Sequence, residues 1–375
     1  MNNLFPFIAV SIFLVVHFWI YFLFFKKMVK PKIPLRILKY FLIINYFGIL
    51  GYFLGRYYLS MPPVLYFFVS LSIGVAFVLF VVSIVYQILN LALIFSHKRR
   101  HFFKQVINIF SGIFASGYLG WGIIEGKLKP EITRVTPKIK NLKMPFSAVQ
   151  ISDLHIGGLI EQSVVRGIVE QSNALGADII FLTGDIIDIK ISNVSEALKE
   201  LAKLKAPLGV YYIVGNHEYF HGIGELLEAL KSLGIRVLEN ENIIISKNGE
   251  ELFNLIGVYD LFGRRIGALE PHLKEALTLR NEKLPTLLLA HQPKFIKEIT
   301  EEDKIDMMLC GHTHGGQIFP FRFLVTLDQP YLQGLYQHSQ TTQIYVNRGT
   351  GYWGPPMRIL ARAEITHFEF LPKDF

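Results

Sequence analysis

"LCGHTHGGQ" (residues 309–317) places two histidines, His312 and His314, between glycines at the end of a short, unbroken apolar run. An apolar run of strand length without a polar alternate is the pattern of a strand covered on both faces. Groups at its carboxyl end then lie in the crevice beyond the strand tips, where open α/β sheets bind ligands. The same arrangement recurs upstream. "SAVQIS" runs into Asp153 and His155, "DIIFLTG" into Asp185 and Asp188, "GVYYIVG" into Asn216 and His217, and "TLLLA" into His291.

Further strand-length runs are "FNLIGV", "TQIYVN" and "EITHFEF". Segments 161–175, 194–204 and 224–233 between them carry apolar residues at helical spacing. Alternating strands and helices predict an α/β domain with at least one sheet packed between other layers. Any one polar group has an ordinary reading, since Asp-Gly is a common turn and a lone histidine a common core residue. Five groups at five strand ends, built only from Asp, Asn and His, are not explained by turns.

Oxygen and imidazole donors without thiolate suit divalent ions such as manganese, iron, zinc or cobalt. Eight ligand positions exceed what one ion needs with room left for water, so two ions sharing a carboxylate are expected. Such a pair clamps a phosphoryl group and lowers the pKa of a bound water, which points to phosphate-ester hydrolysis. Cys310, the single cysteine, excludes an intrachain disulfide framework and a multi-cysteine zinc site, and reads as a small core residue.

The order D-x-H, G-D-x-x-D, G-N-H-E, H, G-H-T-H resembles the calcineurin-like metallophosphoesterases, from about residue 146 to the chain end. "GHTHGGQ" and "NRGTGYWGPPMRI" look like the membrane-associated bacterial branch of that family. The resemblance implies a four-layer α/β/β/α sandwich holding two divalent ions, manganese first among them. Asp153, His155 and His314 would hold one ion and Asn216, His291 and His312 the other, with Asp185 bridging. His217 is implied as the catalytic histidine; Asp188 is expected beside it in the catalytic set, orienting His217 or neighbouring backbone, the alternative being a turn residue that caps the following segment. Arg348, Arg358 and Gln317 are expected to bind substrate phosphate. Phe319, Phe321, Phe323 and Leu324, just after the metal loop, form either an apolar lip dipping into a membrane or a packed core segment.

The N-terminal third differs sharply. Up to Gly126 there are eleven Lys/Arg and one acid, Glu125, against twenty-seven Lys/Arg and twenty-nine Asp/Glu in the remainder. The basic residues lie in short clusters between long apolar runs, the pattern of membrane loops rather than of a nucleic-acid surface. Residues 4–25, 35–59 and 64–95 are each long enough to cross a bilayer, and residues 105–124 form a fourth candidate diluted by glycine and serine. The first lacks the basic start and cleavage site of a signal peptide. The expected organisation is an all-α membrane anchor over 1–126, a basic juxtamembrane linker over 127–145 and the phosphoesterase domain over 146–375, in the bacterial inner membrane.

The lysine-rich loop at 26–39 belongs in the cytoplasm. If 105–124 crosses, the remaining chain lies outside; otherwise it stays inside. "KRRHFFK" resembles a twin-arginine export signal and favours crossing, whereas the basic residues of 127–143 favour a cytoplasmic segment near anionic lipid. Anchoring predicts a lipid-linked phosphate or pyrophosphate as substrate and membrane lipids as partners. The resemblance makes UDP-2,3-diacylglucosamine, hydrolysed to UMP and a lipid monophosphate in lipid A biosynthesis, the specific expectation. The alternatives are an outward-facing envelope phosphoesterase and a non-catalytic membrane scaffold.

Overall fold

The computed structural model describes residues 4–59, 61–92 and 100–373. The chain forms two compact units, Met1–Lys127 with Gly354–Met357, and Leu128–Trp353 with Arg358–Phe375.

Four helical stretches of the first unit, Pro6–Met28, Lys32–Tyr57, Pro63–Ala92 and His101–Lys127, are long and apolar enough to cross a membrane. The diluted fourth candidate is thus a continuous helix. Lys98 and Arg99 of the twin-arginine-like stretch, and the last residues of the expected third span, lie outside the described residues. Close approach explains the glycines of the second span, because a Cβ on Gly48 would collide with Ser72 Oγ of the third. Polar groups buried among these helices are paired: His17 Nε2 lies 2.9 Å from Asn45 Oδ1, and Asn45 Nδ2 donates to the Ser72 carbonyl. Pairing is needed there because a bilayer interior offers no competing water.

The second unit contains two mixed sheets. One has seven strands: β1 (Glu131–Val135), β2 (Lys138–Ile139), β3 (Phe146–Ile151), β4 (Ile179–Thr183), β5 (Val210–Ile213), β6 (Arg236–Val237) and β13 (Glu364–Pro372), in the order β1-β13-β3-β4-β5-β6 with β2 on β13. The other has six: β7 (Glu241–Lys247), β8 (Glu250–Gly257), β9 (Thr286–Leu289), β10 (Met307–Cys310), β11 (Gly334–Gln337) and β12 (Gln343–Val346), in the order β11-β12-β10-β9-β8-β7. β3 to β6 run parallel, as do β8, β9, β10 and β12.

Alternate residues of each strand enter different cores, which makes the unit four layers. Ala148, Ile179, Phe181 and Ile213 meet Phe253, Leu255, Leu287 and Leu309 between the sheets. Val149, Ile151, Ile180 and Leu182 pack with Val165, Ile168, Leu226 and Leu230 from helices Gln162–Asn173 and Ile223–Ser232. On the far side Ile256, Leu288, Met308 and Ile344 pack with Leu273, Phe295 and Ile296. Cys310 is a buried free thiol in that last core.

The expected linker over 127–145 is corrected in part. Residues 131–135 and 138–139 are strands of the first sheet, and β1 pairs in parallel with β13, Glu131 opposite Glu364. Only a short segment after Lys127 precedes the sheet, because Glu131 is needed as an ion-pair partner of Arg348.

Candidate metal centre

The parallel strands deliver their motifs to one edge of the sandwich. Asp153 and His155 follow β3, Asp185 and Asp188 follow β4, Asn216 and His217 follow β5, His291 follows β9, and His312 and His314 follow β10. The structure brings them into two sets, each with donor atoms within 4.8 Å of one another: Asp153, His155 and His314, then Asp185, His291 and His312. Asp185 also groups with His155 and His217, so it lies between the two sets.

The backbone is bent to achieve this. Asp153, His155, Asp185, His312, His314 and Gln317 all have φ between 42° and 69°. Non-glycine residues rarely adopt this left-handed region, at a cost of roughly 1 kcal/mol each, and its concentration here marks a functional constraint. Glycines make room: a Cβ on Gly215 would overlap Asp185 Oδ1, and one on Gly311 would overlap Asp153 Oδ2.

The side chains fit divalent cations. Asn216 Oδ1 and His291 Nε2 are buried without a hydrogen-bond partner, a costly condition unless a cation engages them. His291 Nδ1 is 2.7 Å from the Thr183 carbonyl and donates to it, which turns Nε2 toward Asp185 Oδ2 at 3.2 Å. Burial opposes a charge on this ring, yet the Asp185 carboxylate holds its pKa well above the usual imidazole range, so a cation binding at Nε2 would displace that proton. His155 Nε2 and His314 Nε2 lie 3.0 Å apart, near enough to share one cation. Burial opposes ionisation of Asp185, yet the charges of His291 and His217 hold it well below the usual carboxylate range. Burial, then the charge of His291, pushes His312 down to about 3, so its lone pair is available at neutral pH.

Asp188 is placed as the sequence suggests for an orienting group. Its Oδ1 lies 2.6 Å from His217 Nδ1 and 3.3 Å from His155 Nδ1. It acts through these histidines, so it is a positioning residue and not itself catalytic.

Three expected phosphate binders are corrected. Arg358 is 1% exposed, and its guanidinium donates to the carbonyls of His314, Arg348, Gly349, Gly351 and Ala361. Arg348 is paired with Glu364 at 2.6 Å and with Glu131. Gln317 donates through Nε2 to the Trp353 carbonyl at 2.8 Å and accepts from the Trp353 N–H at 2.9 Å. Arg358 and Gln317 tie the loops after β10 and β12 together, Arg348 ties the latter to β1 and β13, and a side chain so engaged is not a free phosphate arm.

One functional residue lacked an assigned role. Glu218, the last letter of the G-N-H-E motif, is fully buried and accepts from the backbone N–H groups of Asp185, Ile186 and Gly215. It clamps the loop after β4 to the loop after β5. Burial and then the charge of Asp185 raise it to about 8. The motif was the available signal, but its partners are backbone groups that no sequence pattern names.

Asp and His donors at the tips of two packed sheets define a metal-dependent hydrolase of phosphate esters, and comparisons with known proteins give its family. A model of the calcineurin-like phosphoesterases matches residues 146–316. An uncharacterized metallophosphoesterase of Helicobacter pylori is 39% identical over 317 residues, 84% of each chain. A zebrafish (Danio rerio) transmembrane protein with metallophosphoesterase domain is 34% identical over 256 residues, 66% of this chain and 59% of that one. A solved dimetal phosphatase, also from zebrafish, aligns with a TM-score of 0.40 and 14% identity over 59% of this chain and 98% of its own. The chain belongs to the calcineurin-like metallophosphoesterase family, and it is a metal-dependent phosphoesterase with several Asp and His groups fit to hold divalent ions.

Proposed function

We propose that this phosphoesterase hydrolyses a phosphate or pyrophosphate carried by a lipid of the membrane in which its four helices are anchored, the bacterial cytoplasmic membrane. The observation that carries this reading is the surface after the metal loop. Phe321, Phe323, Leu324 and Leu327 are exposed to 41%, 62%, 57% and 82% on and beside the short helix Arg322–Asp328. They are not core, and an apolar surface of this kind beside a site is what a lipid substrate would cover.

Asp153, His155 and His314 would hold one ion, and Asp185, Asn216, His291 and His312 the other. Manganese is the first candidate, as befits oxygen and nitrogen donors without thiolate. When bound, the ions supply charge that clamps phosphoryl oxygens and acidifies a water. The protein's own acid is His217. Its Nδ1 is tied to Asp188, so Nε2, 3.8 Å from Asp185 Oδ2, faces the centre and is placed to protonate the departing oxygen.

The continuous helix Arg100–Lys127 favours a fourth crossing. With the lysine-rich first loop inside, the phosphoesterase unit then faces outward, which favours an exported lipid over UDP-2,3-diacylglucosamine, a cytoplasmic nucleotide. A C-terminal reporter decides the side. The substrate test incubates the full chain in mixed micelles with Mn²⁺ and a panel of phosphatidyl phosphates, polyprenyl pyrophosphates, UDP-2,3-diacylglucosamine and water-soluble phosphate esters, with products identified by mass. Faster turnover of a lipid-linked ester, abolished by His217→Ala, is expected. Equal or faster turnover of the soluble esters overturns the lipid reading.

A further inference from the structure

We infer that Phe220 and Trp353 are specificity-determining residues that receive an apolar group esterified to the scissile phosphate. His217 is enclosed on its inner side by Asp188 and by the His155 ring, whose centroid is 4.7 Å away. Two aromatic rings flank it elsewhere, each edge to face: Trp353 with centroids 6.0 Å apart and Phe220 at 6.3 Å. Both are exposed, Trp353 to 37% and Phe220 to 49%, in a site whose other side chains are polar and mostly buried. Leaving such rings in water forgoes apolar burial, which a ligand's apolar surface would recover.

Neither ring is loosely placed. Trp353 is held through its backbone by the paired hydrogen bonds of Gln317, directly after the metal loop. Phe220 packs on Phe262 with centroids 4.7 Å apart. Both rings therefore border the histidine expected to meet the leaving oxygen, where they would contact an apolar leaving group. The arginines of the neighbouring loop are already engaged, Arg358 with backbone carbonyls and with His314 Nδ1 at 3.3 Å, and Arg348 with Glu364 and Glu131. A wall of two aromatics suits an apolar alcohol better than a second phosphate or a nucleotide. Gln317 becomes a positioning residue for Trp353.

The inference rests on the lipid-phosphate reading and deepens it, but the test separates the two because it needs no turnover and no lipid. Methyl-, phenyl- and hexylphosphonate, which are not hydrolysed, are titrated calorimetrically into the full-length, Mn²⁺-loaded protein in detergent. The wild type is expected to bind phenyl- or hexylphosphonate at least tenfold tighter than methylphosphonate. The aryl and alkyl arms tell stacking from general apolar contact. Phe220→Ala and Trp353→Ala should each shrink that advantage at least threefold, and Phe220→Leu should restore it for the hexyl compound. Gln317→Ala should act in the same direction as Trp353→Ala. Equal affinity for the three phosphonates in the wild type, or variants that weaken all three equally, overturns the inference. A retained apolar advantage with no turnover of any lipid phosphate overturns only the lipid reading.

Discussion

Asp188 Oδ1 lies 2.6 Å from His217 Nδ1, and the same oxygen is 3.3 Å from His155 Nδ1. One carboxylate oxygen thereby sets two imidazoles with their Nε2 atoms inward, one for a cation and one for the leaving oxygen. Such partners tune ligand geometry and basicity, and their loss typically costs about 10–100-fold. Asp188→Asn presents an amide whose NH₂ competes for the Nδ1 position and disfavours the needed tautomer. kcat should fall about 10–100-fold with KM little changed and metal affinity reduced. A variant with full kcat would show that Asp188 is a turn residue only.

Glu218 and Asp185 make the second dependence. The Glu218 carboxylate receives the N–H groups of Asp185, Ile186 and Gly215 in a site fully closed to solvent. Removing the acceptor leaves three buried donors unsatisfied, at about 1–3 kcal/mol for each that finds no water. Glu218→Ala should lose bound metal, measured by elemental analysis after dialysis, together with thermal stability. Glu218→Gln keeps one acceptor oxygen and should recover part of both. Unchanged metal content in the alanine variant would refute the clamp.

Arg358 separates a structural from a substrate-binding role. Its guanidinium joins the carbonyls of Arg348, Gly349 and Gly351 to those of His314 and Ala361. Removing the guanidinium leaves those buried carbonyls without their donors, at about 1–3 kcal/mol for each that finds no water. Arg358→Met should lower Tm by about 10 °C in a domain of this size. A phosphate-binding arginine would instead raise KM and leave Tm in place.

Much of this organisation is readable in the amino-acid order, for a physical reason. Strands covered on both faces, such as Met307–Cys310, carry few polar residues, so a cluster of polar groups after them announces the strand tip. The edge strand β1 (EITRV) mixes charged and polar residues with apolar ones and merges with loop composition, which is why 131–139 read as linker. The left-handed φ of Asp153 and His312 is imposed by tertiary contacts and leaves no local mark. The arginines misled because guanidinium suits phosphate and backbone carbonyls equally; only the fold decides which it meets. Phe323 and Leu324 had the composition of a core segment, and only their exposure shows that they are surface.

Asp306 gives a pH signature remote from the metal centre. It lies just before β10, where its Oδ2 accepts from the Thr286 N–H at 2.8 Å. Burial, offset in part by that hydrogen bond and by Arg280 and Lys140, raises its carboxyl to about 6 from an ordinary 3.8. The folded chain thus holds this proton more tightly than the unfolded chain. The contribution to stability is complete below about pH 3.8 and is lost as pH rises to about 6. Above that, the folded state carries a partly buried charge at a cost of about 2 kcal/mol. Asp306→Asn keeps an acceptor for Thr286 and removes the charge. Relative to wild type it should be stabilised by about 1–2 kcal/mol at pH 7.5, and the difference should vanish near pH 4. Denaturant melts of both proteins at the two pH values provide the measurement, and a difference independent of pH would show that Asp306 titrates as an ordinary surface carboxylate.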